Sequence, residues 1–195
     1  MYDHLKPVID LTLGVILLVL LSPLMLLLTV TQIFLHRGSP FFLHQRPGKN
    51  GKLFRMIKFR TMENCLDASG ALMPDNKRVT AFGRILRRTS MDELPQLINV
   101  IKGDMSIVGP RPLPVYEQEQ CNEYQSQRLL VQGGLTCYWQ VCGRASVPFD
   151  EWVEMDLRYI REQGVWVDLK LIMKTMISVV RLAGGFQKNG SSLNK

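Results

Sequence analysis

No charged residue stands between Leu11 and Leu35. That absence argues against a buried helix of a soluble core, which rarely sustains 25 consecutive uncharged and mainly apolar residues. Acidic residues are missing from the next stretch. From Arg37 to Arg60 there are seven basic residues, Arg37, Arg46, Lys49, Lys52, Arg55, Lys58 and Arg60, and no Asp or Glu. Metal-ligand cysteine spacing is lacking too: Cys65, Cys121, Cys137 and Cys142 form no CxxC pair and have no histidine nearby, which reads as reduced thiols in a cytoplasmic domain. The net charge of +7 comes without a recognition helix, an RNA-binding aromatic pattern or a zinc finger, so nucleic acid is not an expected partner. Nor is there the positive start and small-residue exit of a cleaved signal peptide.

Within the apolar run, a Ser22-Pro23 pair lies near the middle. At 1.5 Å per helical residue the run reaches about 38 Å, enough to cross a hydrocarbon core of about 30 Å. Pro23 has no backbone N–H, so the Val19 carbonyl loses its helical partner and a bend is expected. The Ser22 hydroxyl can bond a carbonyl one turn back and repair part of the loss. The run is therefore either a kinked transmembrane helix or a re-entrant hairpin with both ends on one face. The basic flank holds the following chain in the cytoplasm and favours anionic headgroups or phosphates as partners. The N-terminal flank, with Asp3, Lys6 and Asp10, is near neutral and leaves its own side open.

Beyond the membrane segment about 160 residues remain, enough for one modest domain. The expected fold is mainly α with a small β element. Asn50-Gly51, between Phe41-Phe42 and Leu53-Phe54, predicts a hairpin turn with a short strand over Leu53–Phe59. Glu63 to Lys77 reads as loop. Val79 to Arg88 predicts a short basic amphipathic helix, at the bilayer interface or against a protein core. Leu94 to Ile101 predicts a short helix under the site, Glu117 to Leu129 a polar helix, and Gly133-Gly134 the end of an element. Trp152, Met155 and Tyr159 give a helix over Phe149–Ile160 its apolar stripe. Leu169, Ile172, Met173, Met176 and Val180 do the same over Leu169–Arg181, either in the headgroup layer or closing the core.

The chemistry centres on Arg87-Arg88-Thr89-Ser90-Met91-Asp92-Glu93-Leu94-Pro95-Gln96. With Asp92 as helix cap, Pro95 falls in the first turn, where its missing N–H is no loss; Ser90 and Glu93 offer an alternative capping box. Both registers put two carboxylates near the positive end of a helix and beside two guanidiniums, which favours their ionised forms. One ionised carboxylate can attack phosphorus while its neighbour holds a divalent ion. Lys58 and Arg60, Arg87 and Arg88, Arg111 in Gly109-Pro110-Arg111-Pro112, and Arg144 form four separate cationic stations for phosphate oxygens, and arginine beside rigid Gly and Pro suits a fixed fork. Asp104 is a further acid placed to orient one of the forks.

These passages resemble the monotopic phosphoglycosyl transferases, the bacterial sugar transferases that start glycan assembly on polyprenol phosphate. The resemblance covers roughly Lys6 to Thr175 and is similar to their minimal catalytic core. Its motifs are Leu21-Ser22-Pro23, Lys58-Phe59-Arg60-Thr61-Met62, Asp92-Glu93-Leu94-Pro95-Gln96, Lys102-Gly103-Asp104-Met105-Ser106 and Gly109-Pro110-Arg111-Pro112. It implies a re-entrant helix-break-helix over 1–36, an interface-bound catalytic domain over 37–182, a polar tail over 183–195, and a place on the cytoplasmic face of the bacterial inner membrane. It further implies that Asp92 attacks the sugar-bearing phosphorus of a UDP-sugar, expels UMP, and passes the phosphosugar to polyprenol (undecaprenyl) phosphate. Glu93 with Asp92 would bind Mg²⁺, with Gln140 supporting the site. Candidate sugars are galactose, glucose, N-acetylhexosamines and di-N-acetyl sugars.

The chain departs from the family pattern at three places. Gly133 stands where a proline is usual, Cys137 where glycine is usual, and Pro7 where a second basic residue is common. The first is expected to loosen a turn and the second to add bulk. Two rival readings share part of the pattern: a basic membrane-surface scaffold, and a phosphotransferase acting on another lipid phosphate.

Overall fold

A computed structural model describes residues 2–35, 38–67, 69–142 and 148–184. Tyr2–Leu35 forms one helix, α1, long and apolar enough to cross a bilayer by length and composition. The helix runs on through Pro23. There the Ser22 hydroxyl donates to the Val19 carbonyl at 2.8 Å, the local repair that the sequence implies.

Much of the α1 surface is bare apolar side chain, including Val19, Leu20, Leu26 and Leu27. Its buried residues lie towards the two ends: Lys6, Asp10 and Gly14, then Leu28 and Gln32. A four-residue spacing puts each set on one helix face. The Lys6 ammonium donates to Asp168 Oδ2 at 2.6 Å and lies 3.5 Å from Asp10 Oδ2. Asp10 in turn accepts from the Ser106 hydroxyl at 2.7 Å and the Ile107 N–H at 3.1 Å. Gln32 donates to the Arg60 carbonyl at 2.8 Å. Lys6, Asp10 and the Gln32 Nε2 group, which would be costly in hydrocarbon, find partners in the domain instead, while Gln32 Oε1 is buried without one among the described residues.

Strands β1 (Phe41–Pro47) and β2 (Leu53–Phe59) pair antiparallel, with Phe41 opposite Phe59 and Pro47 opposite Leu53. Asn50 and Gly51 turn the chain between them at φ of 56° and 76°, left-handed values those residues tolerate. After a single turn, α2 (Asp75–Arg78), comes α3 (Ala81–Thr89). The Thr80 hydroxyl caps it by accepting the Gly83 N–H at 2.9 Å. Phe82 and Leu86 of α3 face a core of Leu28 and Phe59, while Arg84, Ile85 and Arg88 are exposed. The helix α4 (Gln96–Ile101) leads into β3 (Ser106–Val108). Two short helices, α5 (Val115–Gln118) and α6 (Glu123–Ser126), precede β4 (Gly134–Thr136), which runs parallel to β3 with Ser106 opposite Gly134. The chain finishes with α7 (Tyr138–Cys142), α8 (Phe149–Glu162) and α9 (Val165–Gly184).

Two hydrophobic clusters lie under α1. Leu13 and Leu17 pack on one built from Phe54, Met56, Val100, Met105, Ile107, Val108, Tyr159 and Leu171. Leu24, Met25 and Leu28 pack on the other with Phe59 and Leu86. Both limbs of the helix therefore rest on the same domain.

Several expectations need correction. The polar helix over Glu117–Leu129 is broken, because Asn122 and Gln125 cap each other's backbone N–H groups and start α6 afresh. On α8 the fully buried residues are Val153, Asp156, Leu157 and Tyr159, whereas Trp152 and Met155 are only partly covered. Asp156 is drawn inside by Arg128, whose Nη2 lies 2.6 Å from Oδ2. On α9 Asp168 and Leu171 are buried, and Leu169, Met173 and Met176 are exposed, so most of the apolar stripe lies outside the core. Gly133-Gly134 begins a strand instead of ending an element. At Gly133 the backbone is close-packed, since a Cβ there would meet Pro112 Cγ at 2.5 Å. The tail expected from residue 183 begins inside α9, and residues 185–195 lie outside the described ones.

Replacing Lys6 by alanine leaves Asp10 and Asp168 buried without their shared cation. Lys6→Ala is expected to lower stability by about 3 kcal/mol, read from unfolding of the detergent-solubilised protein. An unchanged unfolding midpoint would show that this clamp carries no stability.

Candidate active site

The chain leaves α3 through Ser90, which adopts a left-handed conformation at φ 58°. A single 3-10 turn, Met91–Glu93, follows before α4. Asp92 is not a helix cap, and neither is Ser90: Pro95 precedes α4 with no side-chain cap, so neither capping register forms. The turn instead delivers both carboxylates into a cleft of about 910 Å³.

Glu93 binds two cations at once. Lys58 Nζ, on β2, donates to Oε1 at 3.0 Å. Arg111 forms a fork, with Nη1 donating to Oε2 at 3.1 Å and Nη2 to Oε1. Burial alone would raise the Glu93 carboxyl, but the charges and hydrogen bonds of Arg111 and Lys58 reverse this and hold it at about 2. Asp92 moves the other way. Burial and the neighbouring Glu93 push its carboxyl up, against the pull of Lys58, Arg111 and Arg87. Both acids were expected to be favoured as anions; the structure divides them. Lys58 is pushed down by burial and by Arg111, even beside Glu93, because two cations share one carboxylate.

Arg111 is held from behind. Gly109 N–H donates to the Thr136 carbonyl at 3.0 Å, and the Pro110 carbonyl accepts from Gly134 N–H at 2.9 Å. Arg128 donates to the Arg111 carbonyl at 2.6 Å, and Arg46 to the Pro112 carbonyl at 3.3 Å. Gly109 and Gly134 are required for the close approach, since a Cβ on Gly134 would lie 2.1 Å from the Gly109 nitrogen. The loop is thus a fixed mount for one guanidinium.

Six cations line the cleft, Arg46, Lys58, Arg60, Arg78, Arg87 and Arg111, against the two acids. Arg87 Nε donates to the Thr61 hydroxyl at 2.8 Å, joining α3 to the Lys58–Met62 motif. Of the anticipated site residues, Lys58, Arg60, Arg87, Arg111, Asp92, Glu93 and Gln140 all line this space. Arg88 is exposed on α3 and is not among the lining residues. Arg144 lies outside the described residues. Among the described residues Asp104 orients no arginine fork: its Oδ2 accepts from Asn99 Nδ2 at 3.3 Å, and Asn99 bonds the β2 backbone at Arg55 and Ile57. Its position at the end of α4 makes it a brace for the hairpin. Sequence reasoning missed Arg78, Trp139, Trp152 and the buried Arg128–Asp156 pair; Arg46 was noticed only as basic flank.

Among the described residues there is no group of three or more His, Cys, Asp or Glu able to hold a metal ion. The donor set is the acid pair alone. That set fits Mg²⁺, which takes one or two carboxylates and completes its shell with water and substrate phosphate.

Residues 1–182 match the family described as bacterial sugar transferase. The chain belongs to that family. The sugar transferase EpsL of Bacillus subtilis (strain 168), named as uncharacterized, is 41% identical over 186 residues, 95% of this chain and 92% of that one. The undecaprenyl-phosphate galactose phosphotransferase of Salmonella typhimurium (strain LT2) is 36% identical, over 93% of this chain and 42% of its own. The undecaprenyl-phosphate glucose phosphotransferase of Komagataeibacter xylinus is 39% identical, over 88% of this chain and 35% of its own. The transferase therefore spans nearly all of EpsL and less than half of either phosphotransferase.

Because Glu93 is ionised in the fold well below its ordinary value, it contributes stability that is complete above about pH 4.5 and is lost as pH falls toward 2. The unfolding midpoint of the wild type is expected to drop across that window. Glu93→Gln, less stable overall, should show a flatter acid profile; an identical slope in both proteins would contradict the ion-pair assignment.

Proposed function

We propose that this transferase moves a sugar 1-phosphate from a UDP-sugar to polyprenol phosphate through a covalent aspartyl intermediate. The observation that carries the reading is the divided acid pair. Glu93 is a permanent anion gripped by Arg111 and Lys58, whereas Asp92 is less stabilised and so keeps more of its reactivity toward an electrophile. The names of the two phosphotransferase relatives, which specify undecaprenyl phosphate and a sugar, agree with this chemistry.

An Asp92 carboxylate oxygen attacks the sugar-bearing phosphorus. The bond from that phosphorus to the bridging oxygen breaks, and UMP leaves with the electron pair. The product is a mixed anhydride between Asp92 and the phosphosugar. A phosphate oxygen of the polyprenol then attacks the same phosphorus, Asp92 departs as a carboxylate, and a polyprenyl diphosphate sugar is released. Arg111, Lys58, Arg87 and Arg60 neutralise the phosphate oxygens in both steps. Asp92 and Glu93 are the residues that would hold Mg²⁺, which when bound withdraws charge from the diphosphate.

The reading extends to topology. The α1 helix enters the membrane from the cytoplasmic side and returns to it, bent at Ser22-Pro23, as a monotopic anchor in the bacterial inner membrane. Support comes from the attachment of both limbs to one domain, through Lys6 and Asp10 on one side of the proline and Leu28 and Gln32 on the other. The cleft is then held next to the headgroups, where the acceptor phosphate lies.

Asp92→Asn is expected to reduce UMP release from a UDP-sugar by about 10³-fold or more while the protein remains folded and membrane-bound. Intact-mass analysis of wild type given donor without acceptor should show a phosphosugar on Asp92; an adduct elsewhere, or near-normal turnover of the variant, would remove the intermediate. For topology, Tyr2→Cys should stay unlabelled by an impermeant thiol reagent added outside intact cells. Ready labelling from outside would mean that α1 crosses.

A further inference from the structure

One wall of the cleft carries no charge: Trp139, Gln140 and Trp152. We propose that Gln140 donates a hydrogen bond to a hydroxyl or acetamido oxygen on the donor's sugar, and that the Cys137 thiol is the positioning residue that orients its amide. The proposal rests on the functional reading above and names the group that separates one UDP-sugar from another.

The wall is rigid where Gln140 emerges. The Trp139 and Trp152 rings pack at 4.3 Å between centroids, tying α7 to α8. The Thr136 and Thr175 hydroxyls are 2.5 Å apart, tying the end of β4 to α9. Between these fixed points Cys137 is buried, and its thiol donates to Gln140 Oε1 at 3.3 Å. An amide has one accepting and one donating end. A thiol offered to it selects the oxygen, so the two N–H groups on Nε2 are left for the cleft. Burial keeps the thiol protonated by pushing it well above its ordinary value, so it stays a donor at neutral pH.

Location favours the sugar over the uridine. The Trp152 ring lies 5.5 Å from the guanidinium of Arg128, which donates to the Arg111 carbonyl at 2.6 Å, and Arg111 grips Glu93. This wall therefore stands on the same side as the acid pair, where the sugar-bearing phosphorus must sit for Asp92 to reach it. A neutral amide adds little to phosphate neutralisation beside six cations. Its gain is a directional bond to a neutral acceptor, the type of contact that rejects a substrate lacking the matching group.

The test measures UMP release with UDP-galactose, UDP-glucose and their N-acetylhexosamine counterparts, together with inhibition by UMP. Wild type is compared with Gln140→Leu, Cys137→Ala and Cys137→Ser. Gln140→Leu should change the ratio of kcat/KM between the best donor and its nearest competitor by about tenfold, chiefly through KM, and leave UMP inhibition unaltered. Cys137→Ala should shift the ratio in the same direction, and Cys137→Ser should restore it because a hydroxyl also donates. Equal losses on every donor would make both residues packing elements. Weaker UMP inhibition with an unchanged donor ratio would place the amide on the uridine. Either result overturns the proposal, and if Gln140→Leu fails to fold, the Cys137 pair decides alone. UMP release by wild type from no donor would overturn the functional reading itself, and the sugar contact with it.

Discussion

Three separate segments of the chain meet on the carboxylate of Glu93: Lys58 from the hairpin, Arg111 from the loop after β3, and the 3-10 turn that carries the acids themselves. Taking one carboxylate and two cations out of water is costly, and the cost is recovered only if the fork geometry and the remaining hydrogen bonds are in place. The backbone mount behind Arg111 serves that need, through Gly109, Pro110, Arg128 and Arg46. So does the Asn99 brace under β2. The consequence for chemistry is asymmetry. With the positive charge committed first to Glu93, its neighbour Asp92 remains the less stabilised acid in a cleft with a surplus of cations.

The membrane helix is part of the same construction and not an appendage. Gly14 lies against Val100 and Ile101 of α4, close enough that a Cβ there would sit 3.2 Å from Val100 Cγ1. Gln32 holds the carbonyl of Arg60, a residue of the cleft wall. Helix α1 and the site therefore share elements, so the position of the cleft wall depends on the packing of α1. For the reaction proposed above, between a water-soluble donor and a lipid-borne acceptor, this packing would set where the two can meet.

Local signals were legible where they depend on neighbours in sequence. Asn50-Gly51 turns a hairpin because those two residues tolerate positive φ, and the Ser22 hydroxyl repairs the Val19 carbonyl because both lie within one helical turn. Long-range polar pairing was not legible. Arg128–Asp156 and Lys6–Asp168 rotate α8 and α9 so that an acidic residue faces inward on each, against the apolar stripe that periodicity suggests. The three-residue strands β3 and β4 are too short to carry a period, and only their mutual pairing defines them. Asp104 illustrates the same limit, since an acid beside an arginine-rich site in sequence turns out to brace an asparagine.

The sequence by itself determined the uncharged membrane segment with its proline, the basic flank, the hairpin turn and the membership of Asp92, Glu93, Lys58 and Arg111 in one site, because apolar length, residue-specific backbone preference and a set of ordered motifs all survive in one dimension. Tertiary structure alone decided which acid is held as the permanent anion, which face of each late helix turns inward, and how Gln140 is presented to the cleft. Those outcomes depend on desolvation and on charges brought together from distant parts of the chain, and neither exists until the chain has folded.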